Sequence, residues 1–330
     1  MVGETVRSRN RGGSRPVSLQ QRNNPPTRPG ALSQRERAAG WASTHRVHLG
    51  MPHLAFSGLS EAWLLKELGH RHWIQLARMA EHDFPDFYDE AGHTVYAAFR
   101  SVRIEGARFD LAKENDTLVI RSSLFRLSRT QVQSEHRLSI GGALLGIVRM
   151  VSVFVHRNGQ TSNRSVVRVE IQGLPPVSQA SKPDLSGVDG NLWIWDDGAA
   201  ATADHRPQLF FPCPSQDFNG AGFLYFANVP AFVDRAEWNV DPDFARNAIT
   251  RWRSVAYHAN IDPGEAISIE LVDFERDDLL WRHRGRVTRA TDGKHMADVL
   301  SVRSRVEVAG SRRAPAHREV ECRDRSDCPG

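Results

Sequence analysis

Cysteine is scarce in this chain, with three residues among 330. Cys213 lies beside prolines, whereas Cys322 and Cys328 lie in a polar tail, so the chain lacks the spacing of a secreted disulfide framework. The last two cysteines are too far apart for the usual paired zinc ligands, and no partner pair is present. We therefore expect a protein of the reducing cytoplasm, without a metal site.

Long apolar runs are also missing, including any apolar segment near the start that could act as a signal peptide. The most apolar stretch, residues 140–155, contains Arg149 and is too short to span a membrane. Its valines and isoleucines predict a long buried strand instead, and no membrane association is expected.

The chain has no G-x-S-x-G elbow, phosphate loop, dinucleotide fingerprint or H-E-x-x-H motif. Their absence disfavours the common hydrolase, nucleotide-binding and metallopeptidase classes. It favours chemistry that depends on positioning and backbone dipoles, without a tightly bound cofactor.

Positive charge is concentrated at the start of the chain. Residues 1–50 carry nine Arg, no Lys and two Glu, a net charge of +7 in a protein whose total is +4, so the other 280 residues carry −3. The basic segment has no aromatic or glycine-rich readout motif, so a nucleic-acid partner is not expected.

Composition divides the chain into five segments. Residues 1–48 are predicted to be a disordered basic leader, because they offer too little apolar surface to offset the entropy of ordering. Two domains, 49–172 and 208–309, follow on either side of a linker at 173–207, and 310–330 form a polar tail. Removal of the leader up to Met51 is expected to leave the melting temperature almost unchanged.

The predicted elements have the same order in both domains, in which one helix precedes four or more extended segments. This order predicts two α+β domains in tandem. In the first, Ser60 is the expected helix cap, and in the second Asn228 is, with Pro230 in the first turn. The second helix is expected to continue through residues 244–252. The predicted strands lie at residues 95–104, 117–127, 131–140, 143–156, 165–171, 254–261, 266–274, 280–291 and 295–308.

Residues 219–237, NGAGFLYFANVPAFVDRAE, resemble the opening of hot-dog acyl-CoA thioesterases. Asn219 occupies the position at which the 4-hydroxybenzoyl type of thioesterase has its catalytic Asp. The resemblance implies a hot-dog domain, and the Asn argues against hydrolysis by a carboxylate.

The first domain contains GLSEAWLLKELGHRHW, followed by GHTVYAAF at residues 92–99. These segments resemble the bifunctional acyltransferase/decarboxylases of the leinamycin-pathway type, which are double hot-dog proteins of polyketide clusters. The resemblance implies a tandem hot-dog fold and transfer of an acyl group, such as methylmalonyl, from coenzyme A. It further implies an acyl-tyrosine, loss of CO2 and delivery to an acyl carrier protein, with Tyr96 as the acylated residue.

Tyr96 is also interpretable as an ordinary strand residue that fills core space, since a phenol is mostly neutral at pH 7 and needs activation to attack a thioester. On a strand it points away from Val95, Ala97 and Phe99. His258, on a later strand, is a weaker candidate for proton transfer.

The two helix N-termini are candidate substrate-binding sites, because their free N–H groups and dipoles suit a developing oxyanion. The residues concerned are Gly58, Ser60, Gly220, Gly222 and Asn228, although the glycines are equally consistent with simple turns. The alternatives to acyl transfer are a hot-dog thioesterase, in which Asn219 positions a water, and a non-catalytic module that binds acyl thioesters. Acyl-CoA and acyl carrier protein are the expected partners, and a homodimer is left open.

Overall fold

A computed structural model describes residues 41–159, 162–171, 173–175 and 203–306. The first central helix, α1 (Glu61–Met79), begins at a Ser60 cap whose side chain accepts a hydrogen bond from the Trp63 N–H. Leu64, Leu65, Leu68 and Leu76 of this helix are fully buried, as its apolar pattern predicts.

The second central helix is α3 (Asn228–Val240), and two single-turn helices, α2 (Pro214–Asp217) and α4 (Pro242–Ala245), flank it. The prediction that Asn228 caps α3 is wrong by one residue, since Ala227 is the cap. The predicted helical continuation over 244–252 is also wrong, because a strand begins at Ala248. Asp241 caps α4 through a hydrogen bond from the Phe244 N–H and so stops α3 from extending.

The strands of the first half include four of ten or more residues that lie close to predicted strands. They are β1 (Trp41–His48), β2 (Leu54–Ala55), β3 (Gly58–Leu59), β4 (Phe87–Tyr88), β5 (Thr94–Glu105), β6 (Thr117–Arg126), β7 (Gln131–Ile140), β8 (Ala143–Arg157) and β9 (Val166–Arg168). Those of the second half are β10 (Ala203–Asp204), β11 (Gln208–Phe210), β12 (Ala248–Tyr257), β13 (Ile267–Arg276), β14 (Leu280–Arg289) and β15 (His295–Arg305).

One antiparallel sheet runs through both halves in the order β1-β6-β7-β8-β5-β12-β15-β14-β13-β10. The order β6-β7-β8-β5 of the first half recurs as β13-β14-β15-β12 in the second, so the halves are related by an approximate twofold. They meet where β5 pairs with β12, from Arg253 opposite Ile104 to Ala256 opposite Ser101.

A shared hydrophobic core crosses this boundary and contains buried residues of both central helices, such as Leu68 of α1 and Phe232 of α3. A second cluster, with Leu76, Phe87 and Phe154 among its members, lies near the end of α1. Each half therefore covers one face of its sheet with one helix. Within the described ranges, none of the helices combines the length and apolar character that crossing a membrane requires.

The prediction that residues 1–48 are disordered is wrong for its last eight residues. β1 pairs with β6 along its whole length, and its position beside β6 matches that of β10 and β11 beside β13. The remainder of the predicted leader, the tail at 310–330 and most of the linker lie outside the described residues.

Candidate functional site

A cavity of about 600 Å3 opens between the start of β5, the middle of α1 and the loop that leads into α3. Its walls are largely aromatic and apolar, from Trp73, Phe99, Phe223, Phe226 and Val229. We call it the central cavity. Concave apolar space with a few polar groups is the usual form of a small-molecule site.

The polar side chains of the central cavity are unevenly exposed. His70, Asp86 and Tyr88 lie at exposed positions, whereas Tyr96 is half-buried in the wall. Thr94 is exposed as well, and Tyr225, Tyr257, Asn219 and Asn260 are half-buried polar residues of the lining. The buried part of the lining that the structure describes therefore offers phenols and amides and no carboxylate or imidazole.

Tyr96 lies on β5, opposite Val155 of β8. The neighbouring Val95 is buried in the cluster beside α1. The prediction that Phe99 lies on the face opposite Tyr96 is wrong, because Phe99 lines the same cavity and the strand pairing is irregular between Phe99 and Ser101. The Tyr96 ring meets the edge of Phe223 with centroids 5.4 Å apart, and the Arg157 guanidinium lies 5.6 Å from its centroid. The positive charge of Arg157 therefore lies near the Tyr96 ring.

The loop 219–223 forms the opposite wall. The Asn219 Oδ1 accepts hydrogen bonds from the Ala221 N–H at 3.0 Å and the Phe223 N–H at 3.1 Å. These two donors determine the orientation of the amide, and its nitrogen makes no hydrogen bond within the described residues. Gly222 has φ +78°, a conformation that favours glycine, and it turns the chain back toward α3.

Two residues outside the predicted site hold this loop in place. Arg157 donates to the carbonyl of Ala221 and, at 2.9 Å, to Oδ1 of Asn163. The Asn163 Nδ2 donates in turn to the carbonyls of Gly222 at 2.6 Å and Ile261 at 3.0 Å. Asn163 is buried, and all its side-chain hydrogen-bonding capacity is used within the protein.

The other phenols of the inner wall are less suited to attack. Burial raises the pKa of Tyr257, whose hydroxyl donates to the Phe226 carbonyl at 2.9 Å. Burial also raises the pKa of Tyr225, and Lys66 lies over its ring at 5.5 Å. The Tyr96 hydroxyl has no hydrogen bond within the described residues, which leaves it available to a ligand.

Of the eight predicted site residues, Tyr96, Asn219 and Gly220 line the central cavity. Gly222 shapes the same loop without lining it. Asn228 is the buried first residue of α3, and its Nδ2 donates to the Gln216 carbonyl and the Asp217 carboxylate. The structure thus places Tyr96 of β5 in the same cavity as Asn219 and Gly220 of the loop before α3.

The pseudo-equivalent position, at the start of α1, is filled by protein. A Cβ on Gly58 would lie 2.2 Å from the Phe109 carbonyl oxygen, so its φ of +131° and close packing both require glycine. Glu61 binds Arg253 at 2.7 Å and accepts from the Thr250 hydroxyl at 2.5 Å. Gly58 and Ser60 are therefore not placed in the central cavity.

His258 also lies outside the lining, although Tyr257 and Ala259 on either side belong to it. Its side chain is exposed, stacks on His295 and reaches the Asp298 carboxylate at 3.2 Å. No base at this position faces Tyr96.

No protein-family profile matches the chain, and no curated protein is similar to it. Solved structures do match. A 12:0-ACP thioesterase from Umbellularia californica is 10% identical with a TM-score of 0.57, over 80% of this chain and 98% of its own. An acyl-ACP thioesterase from Bacteroides thetaiotaomicron is 11% identical with a TM-score of 0.54, over 82% of this chain and all of its own. The fold is a tandem hot dog.

The tandem hot dog accounts for the position of the central cavity. In this chain the loop before α3 faces β5 of the first half, and the start of α1 contacts β12 of the second half, so two related positions arise. Here one of them is open between the α3 entry loop and β5, and the other is occupied by the Glu61–Arg253 ion pair.

Proposed function

We propose that this protein acts on acyl thioesters of coenzyme A or of an acyl carrier protein, with the acyl group held in the central cavity. The fold similarity to acyl-ACP thioesterases and the apolar, aromatic lining support this class of substrate. The cavity lies where the α3 entry loop faces β5, and the Asn219 amide nitrogen offers a donor to the carbonyl oxygen of a thioester.

We infer that the reaction is acyl transfer through Tyr96. The observation that carries it is the placement of the Tyr96 phenol beside Arg157 in a wall without a buried base. Asp217 cannot replace such a base, because its carboxylate is buried and accepts from the Cys213 N–H and the Asn228 amide. Attack by water and attack by the phenol both require a proton to leave the nucleophile. For the phenol, the Arg157 guanidinium near the ring would favour the developing phenolate, and the departing thiolate would take the proton.

The proposed sequence of steps starts with attack of the Tyr96 oxygen on the thioester carbonyl. The C–S bond breaks, and the coenzyme A thiolate leaves with the phenol proton, which gives an O-acyl tyrosine. With a malonyl-type substrate such as methylmalonyl-CoA, CO2 then leaves and the resulting enolate takes up a proton from solvent. Finally the thiol of an acyl carrier protein attacks the tyrosyl ester and regenerates the phenol. The decarboxylation and the carrier rest on the sequence resemblance.

Hydrolysis is the second candidate, and the specific observation in its favour is that the structural neighbours are thioesterases. In this case Asn219 would orient a water, and the exposed His70 or Asp86 at the cavity mouth would take its proton. A thioesterase needs no acylated tyrosine, so the two reactions differ in one measurable intermediate.

The test is intact-protein and peptide mass spectrometry after incubation with methylmalonyl-CoA. Acyl transfer predicts a propionyl mass, or a methylmalonyl mass where decarboxylation lags, on the peptide that contains Tyr96. Tyr96→Phe keeps the ring and its packing, so it should fold normally, lose the label and load a carrier protein about three orders of magnitude more slowly.

Tyr88→Phe is the matched control, since Tyr88 also lines the cavity but is exposed at its mouth. It should be labelled like the parent chain. Release of free acid and coenzyme A by Tyr96→Phe at the parental rate would establish hydrolysis instead. Binding of the acyl-CoA without turnover by either protein would indicate a non-catalytic module.

A further inference from the structure

A second group of chemically active side chains lies beside the mouth of the central cavity. Asp89 and His93 are at the two ends of the turn that joins β4 to β5, and His156 is near the end of β8. The Asp89 Oδ2 lies 2.5 Å from Nδ1 of His156 and 3.0 Å from Nδ1 of His93. All three ligand atoms lie within 4.8 Å of one another.

The carboxylate is oriented by the backbone. Its Oδ1 accepts from the Ala91 N–H at 2.9 Å and the His93 N–H at 2.8 Å, so Oδ2 is left to face the two imidazoles. Gly92, at φ +81°, permits the tight turn that brings these N–H groups onto one oxygen. The two imidazole rings are nearly perpendicular, at 75°, with centroids 4.8 Å apart.

We propose that Asp89, His93 and His156 bind one divalent transition-metal ion of the zinc class, such as Zn2+, Co2+ or Ni2+. Two imidazole nitrogens and one carboxylate oxygen are the donor set that these borderline ions select over Mg2+ or Ca2+. The ion would take the place of the hydrogen bonds that now join Oδ2 to the Nδ1 atoms of the two imidazoles. Three protein ligands leave at least one coordination position for water or another ligand.

The position of this site connects it to the cavity. Tyr88 and Thr94, which flank the turn, both line the central cavity, and Arg157 follows His156 directly. A bound ion therefore joins the β4–β5 wall of the mouth to the end of the strand that carries Arg157, and it should rigidify that wall.

A second group of similar composition serves as an internal comparison. His258, His295 and Asp298 also bring three possible ligand atoms together. The described contacts of the Asp298 carboxylate are with the two histidines alone, so no backbone donor orients it. The Asp89 group is better preorganised and should bind first.

The experiment is isothermal titration calorimetry of the full chain with ZnCl2 after treatment with a chelator, together with visible spectroscopy of added Co2+. We expect one equivalent to bind with micromolar affinity, to raise the melting temperature, and to give Co2+ bands of a site with fewer than six ligands. Neither readout requires an acyl thioester, so the result is independent of the proposed function.

His93→Ala removes an exposed ligand without opening the core, and it should weaken binding at least about a hundredfold. Asp89→Asn keeps an acceptor for the turn but loses the charge, and it should weaken binding as well. The control, His258→Ala, should bind like the parent. Absence of binding below millimolar Zn2+, or binding that His258→Ala abolishes and His93→Ala leaves intact, would overturn the assignment.

Discussion

Buried polar side chains join each central helix to its own sheet, by different chemistry in the two halves. In the first half, His72 of α1 is fully buried, with both ring nitrogens 2.8 Å from serine hydroxyls, those of Ser134 and Ser152. In the second half, Glu237 of α3 binds His283 at 2.9 Å. Burial opposes ionisation of Glu237, but Arg303 and His283 outweigh it and hold its pKa at about 2.

The two buried histidines of the first half, His72 and His136, predict a loss of stability in mild acid. Burial, with a smaller contribution from His136, lowers the pKa of His72 from 6.5 to about 3, and burial alone does the same for His136. The unfolded chain therefore binds more protons than the folded one between pH 6.5 and 3, and stability is lost as the pH falls through this window. Each histidine should lower the free energy of unfolding by about 2 kcal/mol when the pH falls from 7 to 5.

The measurement is urea unfolding of the parent chain and of His72→Gln at both pH values. The substitution should reduce the pH-dependent loss by about 2 kcal/mol, because one of the two titrating imidazoles is gone. His70→Gln, at an exposed position of the same helix, should leave the pH dependence unchanged. An identical pH dependence in the parent and His72→Gln would contradict the assignment of a neutral His72.

At the scale of elements, the edge strand β1 belongs to the packed body of the protein. It is hydrogen-bonded to β6 from Trp41 to His48, and the Gln75 amide of α1 donates to the Ser43 hydroxyl at 2.9 Å. Directly after it, Leu49 is fully buried and is held by backbone hydrogen bonds with Asn115 and Asp116.

A chain that begins at Met51 should therefore melt at least several degrees lower than one that begins at Trp41. It loses the Leu49 side chain, worth about 2 to 5 kcal/mol in a core, and leaves β6 as an open edge. The measurement is calorimetry of the two truncated proteins side by side. Equal melting temperatures would show that β1 contributes nothing and would restore the boundary expected from composition.

At the scale of the whole molecule, the two halves depend on each other. Arg253 of the second half is 1% exposed and binds Glu61 of α1 at 2.7 Å and Asp234 of α3 at 2.6 Å. Burial disfavours the charge of Arg253, but these carboxylates outweigh it and raise its pKa. Removal of either half would leave part of this network without a partner, and loss of a partner from a buried ion pair costs about 3 to 5 kcal/mol.

Residues 41–175 and 203–306 expressed separately should accordingly be insoluble or molten, since each exposes core residues and the edge of β5 or β12. Their co-expression should recover a soluble complex with the unfolding behaviour of the intact chain. Gel filtration measures whether each protein is soluble and which complex it forms. The dispersion of amide proton NMR signals measures whether it is folded. A stable, cooperative monomer of 41–175 would show that the pairing of β5 with β12 is dispensable.

Much of the element order could be predicted because its signals are local. Strand β7 matches its predicted bounds, and β5, β6 and β8 differ from theirs by one residue at one or both ends, because buried strands alternate or run continuously apolar. Strand β1 is not among the predicted strands, although the half-buried Ser43, His45 and Val47 alternate with exposed residues. Its buried side is mostly polar, so composition alone placed it with the leader.

The candidate site likewise has some features that the sequence predicts and others that only the structure shows. The sequence by itself placed Tyr96 on a strand and Asn219 and Gly220 in a turn before a helix, since each depends on its immediate neighbours. Only the tertiary structure decided that these residues face one cavity, and that the related position at Gly58 is closed by Arg253. Other contacts of the site join residues that are 59 to 67 positions apart in the sequence. They are those of Asn163 with Gly222, Arg157 with Ala221 and His156 with Asp89. Contacts of that separation are created by strand pairing and leave no periodic signal in the chain.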